Sequence, residues 1–340
     1  MSWSSKQLET LVQRVEVLRL FATSNLWYKA SAIPLPDKFS KKFEAAMQKF
    51  LWIGKLEKLK IDEVKNPLLG GGLNLPCVMS KADSLFLSQA CRLLLSTKTR
   101  EHIKYWLGIY LQEFYPEMGK GPHAEIISPF FQHMKALLSA GLVLGDIEKD
   151  KLHLVTAKKL YSKFTSTLPP PKITIKYNVD WGLVWERLQN PVLGPLGREI
   201  LFLIIHNIVT NGQRVYYFNM AVSPNCLTCQ VVQDNVHLFC ECTSVQESWF
   251  WMRQRLIGLL PPDSCLTSNF EFLNLMFDSS VMEKEVIWLL GIYLEKVWDV
   301  VICKKKTLSL NVLISECSQQ YLEHHKANKP PLGYIIGLFS

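Results

Sequence analysis

Cys226, Cys229, His237, Cys240 and Cys242 fall within seventeen consecutive residues. The segment reads Cys-x2-Cys-x7-His, with further cysteines three and five positions beyond the histidine. A Cys-x2-Cys turn presents two thiolates to one ion. A histidine and one more cysteine complete a tetrahedron with sulfur at roughly 2.3 Å and nitrogen at roughly 2.0–2.1 Å, which is the chemistry of one structural zinc. Spacing alone leaves the fourth ligand open. On a straight helix His237 and Cys240 share a face better than His237 and Cys242 do, so Cys242 requires a turn. Four protein ligands leave no position for a reactive water, which disfavours hydrolytic chemistry. A thioredoxin-type pair is disfavoured as well, because no strand and nucleophile-bearing helix frame Cys226 and Cys229. The plain alternative is a coincidental cysteine-rich turn.

The other cysteines of the nine, Cys77, Cys91, Cys265, Cys303 and Cys317, are scattered singly among apolar residues and read as small core residues. An odd number of cysteines, with Glu9 and Glu16 where a signal peptide needs its apolar stretch, points to a reducing intracellular compartment, nuclear or cytoplasmic. Apolar residues make up 48% of the 340 and charged residues 20%, a composition of globular domains, and the length suggests about two or three of them. The longest apolar runs, Ile200–Ile205 and Val286–Leu294, fall short of the roughly 18 residues of a bilayer span. No membrane partner is expected. The glycines Gly70, Gly71 and Gly72 mark a turn or a close backbone approach. They lack the Lys-Ser or Lys-Thr of a phosphate loop, so no small-molecule substrate is expected there.

The net charge of +8 is concentrated: residues 1–100 hold 16 Lys or Arg against 8 Asp or Glu, and the remainder holds 22 of each. A polyanion is drawn to such an end by summed potential and counterion release, whereas a moderate excess also serves plain solubility. The most basic element is a helix that starts after Pro36, with Asp37 as N-cap. Phe39, Phe43, Ala46, Met47, Phe50 and Leu51 would form its core face. Lys38, Lys41, Lys42 and Lys49 lie opposite, either as a rail along a phosphate backbone or as an ordinary solvated face.

Around these sites the periodicity is helical. Leu8, Leu11, Val15, Leu18 and Ala22 predict one helix running to about Ser31, closed by Pro34 and Pro36. Residues 81–96, 181–188 and 197–209 predict three more, and Val286–Val300 a packed helix with an exposed basic end at Lys304, Lys305 and Lys306. Residues 101–163 alternate short helical patterns with Pro and Gly breaks. Ser166–Pro171 is a linker, since consecutive prolines hold an extended chain. His206 reads as a core histidine, and His324 and His325 as exposed.

Several of these segments, in their order, resemble the C-terminal half of a non-LTR (LINE-type) retrotransposon reverse transcriptase. Asn25-Leu-Trp-Tyr28, Ile33-Pro-Leu-Pro36, Phe50-Leu-Trp52-x-Gly54 and Gly71-Gly-Leu-Asn-Leu-Pro76 with Ala82 are similar to the family's helical thumb and the segment after it. His206–Tyr217 followed by Cys226-x2-Cys229, His237-Leu-Phe and Cys242, with Trp249 beyond, is similar to its zinc-binding domain. The resemblance covers roughly residues 10–95 and 195–255. It selects Cys226, Cys229, His237 and Cys242 as ligands, because the family's last cysteine follows its histidine by five positions. Gln230 departs from the pattern, which often has Gly there to relax the knuckle.

The implied architecture is mainly α. A basic thumb-like bundle (1–100) precedes a helical connector (101–164), a Pro-rich linker (165–180), the zinc knuckle domain (181–260) and C-terminal helices (261–340). The family polymerises DNA with paired palm carboxylates that hold Mg²⁺, yet no Asp-Asp occurs in this chain. The expectation is therefore a non-enzymatic piece with structural zinc and non-specific RNA or DNA binding. A purely structural or protein-interaction module is the alternative. Some relatives carry a restriction-like endonuclease after the zinc motif, and Asp299 with Lys304 gives only a faint echo of it.

Overall fold

A computed structural model describes residues 10–53, 59–95, 156–261, 267–278, 280 and 282–326. Most of the expected connector, Gly54, Cys265 and the side chain of His325 lie outside the described residues. Among the described residues the architecture is mainly α, and the sole β pairing is one antiparallel bridge between Asn225 and Val232. No helix among them is long and apolar enough to cross a membrane. Two compact units are formed: one mainly from Gln13–Asn66 and Leu73–Pro169, the other from Pro170–Ser340 with Pro67–Gly72 and Glu9–Val12.

The first unit contains most of α1 (Leu11–Val17), then α2 (Ser24–Ala30), α3 (Asp37–Leu51), α4 (Ile61–Lys65), α5 (Val78–Leu95) and α6 (Ala157–Thr165). Helix α5 packs against α2, α3 and α6, burying Ala82, Phe86, Leu87 and Cys91. The single helix expected to run to Ser31 is broken by a wide π-helical turn at Leu18–Ala22. There the Thr23 amide donates to the Leu18 carbonyl five residues back, at 3.1 Å. The extra residue in that turn rotates the apolar stripe. Leu11, Val15 and Leu18 are buried as the pattern requires, but Ala22 is exposed and Thr23 takes its place inside.

Helix α3 also differs from its expected orientation. Asp37 is its first helical residue and Pro36 its N-cap, so the carboxylate acts on the helix dipole rather than as a cap. The buried face is Ser40, Met47, Gln48 and Leu51. Phe39 and Ala46 are exposed, and Phe43 and Phe50 half-buried. Polar residues can take the inner face because each finds partners. Gln48 accepts from the Trp52 indole at 2.8 Å, while Glu44 meets the Lys65 ammonium at 3.0 Å and the Val78 amide at 3.2 Å.

The second unit comprises α7 (Lys172–Lys176), α8 (Trp181–Leu188), α9 (Pro195–Ile205), α10 (Gly212–Tyr217), α11 (Gln246–Gly258), α12 (Asn269–Leu273), α13 (Glu283–Lys296) and α14 (Leu310–Lys326). Helix α13 is its axis. Every residue from Glu285 to Leu294 is buried, as a helix apolar on all sides must be. It packs on α9, α11 and α14. Two corrections follow from α14 and the end of α13. His324 is buried, with its ring 6.4 Å from that of Trp288, because α14 turns this face onto α13. Cys303 is exposed, since it ends the π-helical turn Val297–Cys303 just before the exposed lysines Lys304–Lys306.

Gly71 belongs to this unit and explains one glycine of the triplet. Its φ is +78°, and a Cβ there would lie 2.5 Å from the Trp185 ring. Its carbonyl accepts a 2.8 Å hydrogen bond from His206 Nε2. The His206 ring is packed against Phe202 (4.4 Å) and Trp185 (5.6 Å). A carbonyl only accepts, so Nε2 carries the proton. Burial pushes the His206 pKa down to about 4.

The unfolded histidine therefore takes up a proton that the folded one refuses between about pH 6.5 and 4, so stability falls as pH drops through that window and is fully present above it. Denaturant unfolding of the wild type at pH 7 and pH 5 should show this loss, and His206→Gln should reduce it. Gly71→Ala should destabilise by at least about 1–3 kcal/mol through positive-φ strain together with the clash, read as a lowered unfolding midpoint.

Candidate metal centre

The knuckle begins where α9 ends. Asn207, with φ +53°, closes the helix, and its side chain joins an amide chain in which Asn235 donates to Asn207 (3.1 Å) and Asn211 donates to Asn235 (2.7 Å). Asn211 also caps α10 through the Arg214 amide. These bonds tie the segment before the cysteines to the one that carries His237.

The Cys226–Cys229 turn is closed by the Cys226 amide donating to Val231 O at 2.8 Å and the Gln230 amide donating to Cys226 O at 3.0 Å. Gln230 sits at φ +59°, a conformation that favours glycine. Its side-chain amide donates to Leu227 O at 2.9 Å, which offsets part of that strain. The departure from glycine therefore leaves the loop intact.

His237–Glu241 forms a π-helical turn. The Cys242 amide donates to the His237 carbonyl five residues back, at 2.8 Å. At about 100° per residue, positions five apart on an α-helix point well away from each other. The wider turn, with Cys242 leaving it in extended conformation, brings both side chains to one side. One ligand atom from each of Cys226, Cys229, His237 and Cys242 lies within 4.8 Å of the others. The Cys242 sulfur is 3.9 Å from that of Cys226 and 3.8 Å from that of Cys229. These cysteines are free, and the separations far exceed the roughly 2.05 Å of a disulfide. The four residues could hold a metal ion.

Cys240 is not among them. It is buried on its own, and desolvation holds its thiol well above the ordinary value. Two features of the cluster fit a cation. His237 Nε2 is buried with no hydrogen-bond partner, an arrangement that costs about 1–3 kcal/mol unless something satisfies it. Cys229, the most accessible of the three sulfurs, has its pKa lowered by the Thr243 hydroxyl and then by the Thr243 amide, both at 3.4 Å. Cys242 shifts the opposite way because burial favours its neutral thiol. An ion would have to displace that proton.

The turn is anchored to the core by a residue that sequence reasoning did not single out for this role. The Tyr293 hydroxyl on α13 donates to the Phe239 carbonyl inside the π turn at 2.5 Å, and both side chains are fully buried. The Tyr293 ring also lies 5.2 Å from Trp249 on α11. A lone tyrosine in an apolar run carries no mark of this bond in the sequence.

The four lysines lie apart from this centre in chain and in unit. Lys38, Lys41, Lys42 and Lys49 are all exposed on α3. Asp299 and Lys304 form an exposed ion pair at 2.6 Å.

Metal analysis of the purified protein should find one ion per chain, retained in Cys240→Ser and lost or greatly weakened in Cys242→Ser. Tyr293→Phe leaves a buried carbonyl without its donor and should cost about 1–3 kcal/mol, measured by denaturant unfolding, with metal content unchanged at neutral pH. Compared with known proteins, the chain matches no protein-family model and no curated protein.

Proposed function

We propose that the centre binds one structural zinc ion, and that the chain is a non-catalytic, nucleic-acid-binding piece derived from a LINE-type reverse transcriptase. The observation that supports zinc most directly is the sulfur spacing. A tetrahedral ion with bonds of roughly 2.3 Å to sulfur sets its ligands roughly 3.8 Å apart, and the Cys242 sulfur stands 3.8 Å from that of Cys229 and 3.9 Å from that of Cys226. Three thiolates and an imidazole are the donor set of a closed structural site. Cys226, Cys229, His237 and Cys242 would hold the ion, which would cross-link the knuckle and contribute on the order of 10 kcal/mol to its folding.

Nucleic-acid binding is assigned to α3. Among the described residues Lys38, Lys41, Lys42 and Lys49 pair with no carboxylate, and they stand within the first hundred residues, which carry the whole charge excess. Binding through such a face depends on counterion release and is non-specific, with dissociation constants of roughly 10⁻⁴ to 10⁻⁶ M at physiological salt.

The test is an oligonucleotide titration at two salt concentrations. Binding should weaken steeply as salt rises and should be lost when the four lysines are changed together to glutamate. Affinity indifferent to salt, or retained in that variant, would leave the alternative of a purely structural or protein-interaction module.

A further inference from the structure

Helix α3 carries a second row beside its lysines. Lys38, Lys42 and Lys49 are each followed directly by a phenylalanine: Phe39, Phe43 and Phe50. At about 100° per residue the phenylalanines fall in one line, about 100° around the helix from the line of those lysines. The buried face, Ser40, Met47 and Leu51, is a third line roughly as far round again. The aromatic row therefore flanks the core instead of filling it. Phe39 is 45% exposed, and Phe43 and Phe50 are half-buried. Phe39 and Phe43 hold their rings nearly parallel, 22° apart at a centroid distance of 6.0 Å.

Ala46 is exposed between the rows and raises no obstacle along the helix. Among the described residues, the acids of α3 stand away from both rows: Asp37 at its first turn, and Glu44 turned inward to Lys65. Cations in one line and aromatic faces in the next match a polymer with phosphates along one edge and flat bases along the other. A duplex presents the phosphates but hides its base faces in the stack. A single strand presents both.

We infer that α3 binds a single-stranded polynucleotide, with Lys38, Lys42 and Lys49 on phosphates and Phe39, Phe43 and Phe50 stacking on bases. This rests on the nucleic-acid reading above and narrows it to one substrate class. The aromatic contacts carry no charge, so they add affinity without adding to the salt dependence.

The experiment is fluorescence anisotropy of the full chain with labelled oligo-deoxythymidine and with the same strand annealed to oligo-deoxyadenosine, across a salt series. The single strand should bind more tightly. Phe39→Ala should weaken single-strand binding about five-fold or more, as loss of a stacked base does. It should leave duplex affinity and the salt slope unchanged, and Phe39→Trp should restore the loss. Phe43→Ala should act in the same direction, with circular dichroism melting of each variant as the folding control. Equal affinity for both probes with Phe39→Ala neutral would overturn the stacking inference and leave non-specific phosphate binding standing. No binding to either probe would overturn the nucleic-acid reading itself. Phe39→Ala that breaks up a dimer, with single-strand affinity unchanged, would reassign the row to a second copy of the chain.

Discussion

The hydrogen bond from the Cys242 amide to the His237 carbonyl, at 2.8 Å, is the constraint on which the second unit depends. It widens one helical turn to five residues, and only that widening brings His237 and Cys242 to the same side. Without it the spacing would favour Cys240, whose thiol instead is buried away from the cluster. The turn is held at both ends and in its middle. Asp234 accepts from the His237 amide at 2.7 Å, Tyr293 donates to the Phe239 carbonyl, and the Val245 amide donates to Cys242 O at 2.9 Å as the chain enters α11. The cluster is thus a product of the core packing of α11 and α13 as much as of its own motif.

That coupling runs in both directions. A cross-link among Cys226, Cys229, His237 and Cys242 would fix the Asn207–Asn235–Asn211 amide chain and, through it, the C-terminal end of α9. Helix α9 in turn carries Phe202 and leads into His206, which meets Gly71 and Trp185. The Cys/His cluster, the histidine tautomer and the glycine turn therefore share one packed element. In the first unit a different balance operates. There, polar groups that find partners, half-buried Glu44 with Lys65 and buried Gln48 with Trp52, rotate α3 so that its phenylalanines flank the core.

Much of this was legible in the sequence, for identifiable reasons. Soft ligands at tight spacing are rare by chance, so the position of the cluster could be read. The run Val286–Leu294 is apolar on every side and announced the central helix. The spacing did not decide between Cys240 and Cys242, because a π turn leaves no periodic trace, and the same blindness placed Ala22 inside instead of Thr23. The face of α3 was misjudged since hydrophobicity outweighs Gln48 and Glu44 until their partners are known. His324 looked solvated on a polar segment, and only the packing of Trp288 shows otherwise. Gly71 was recognised as a turn or close approach, but not the Trp185 ring that demands it.

A single ion held by three sulfurs and one nitrogen would define this centre. X-ray absorption at the zinc edge on purified protein tests it most directly. The predicted first shell is three sulfur atoms at roughly 2.3 Å and one nitrogen at roughly 2.0–2.1 Å. A protein that carries no metal, or a shell made of oxygen and nitrogen without sulfur, would contradict it.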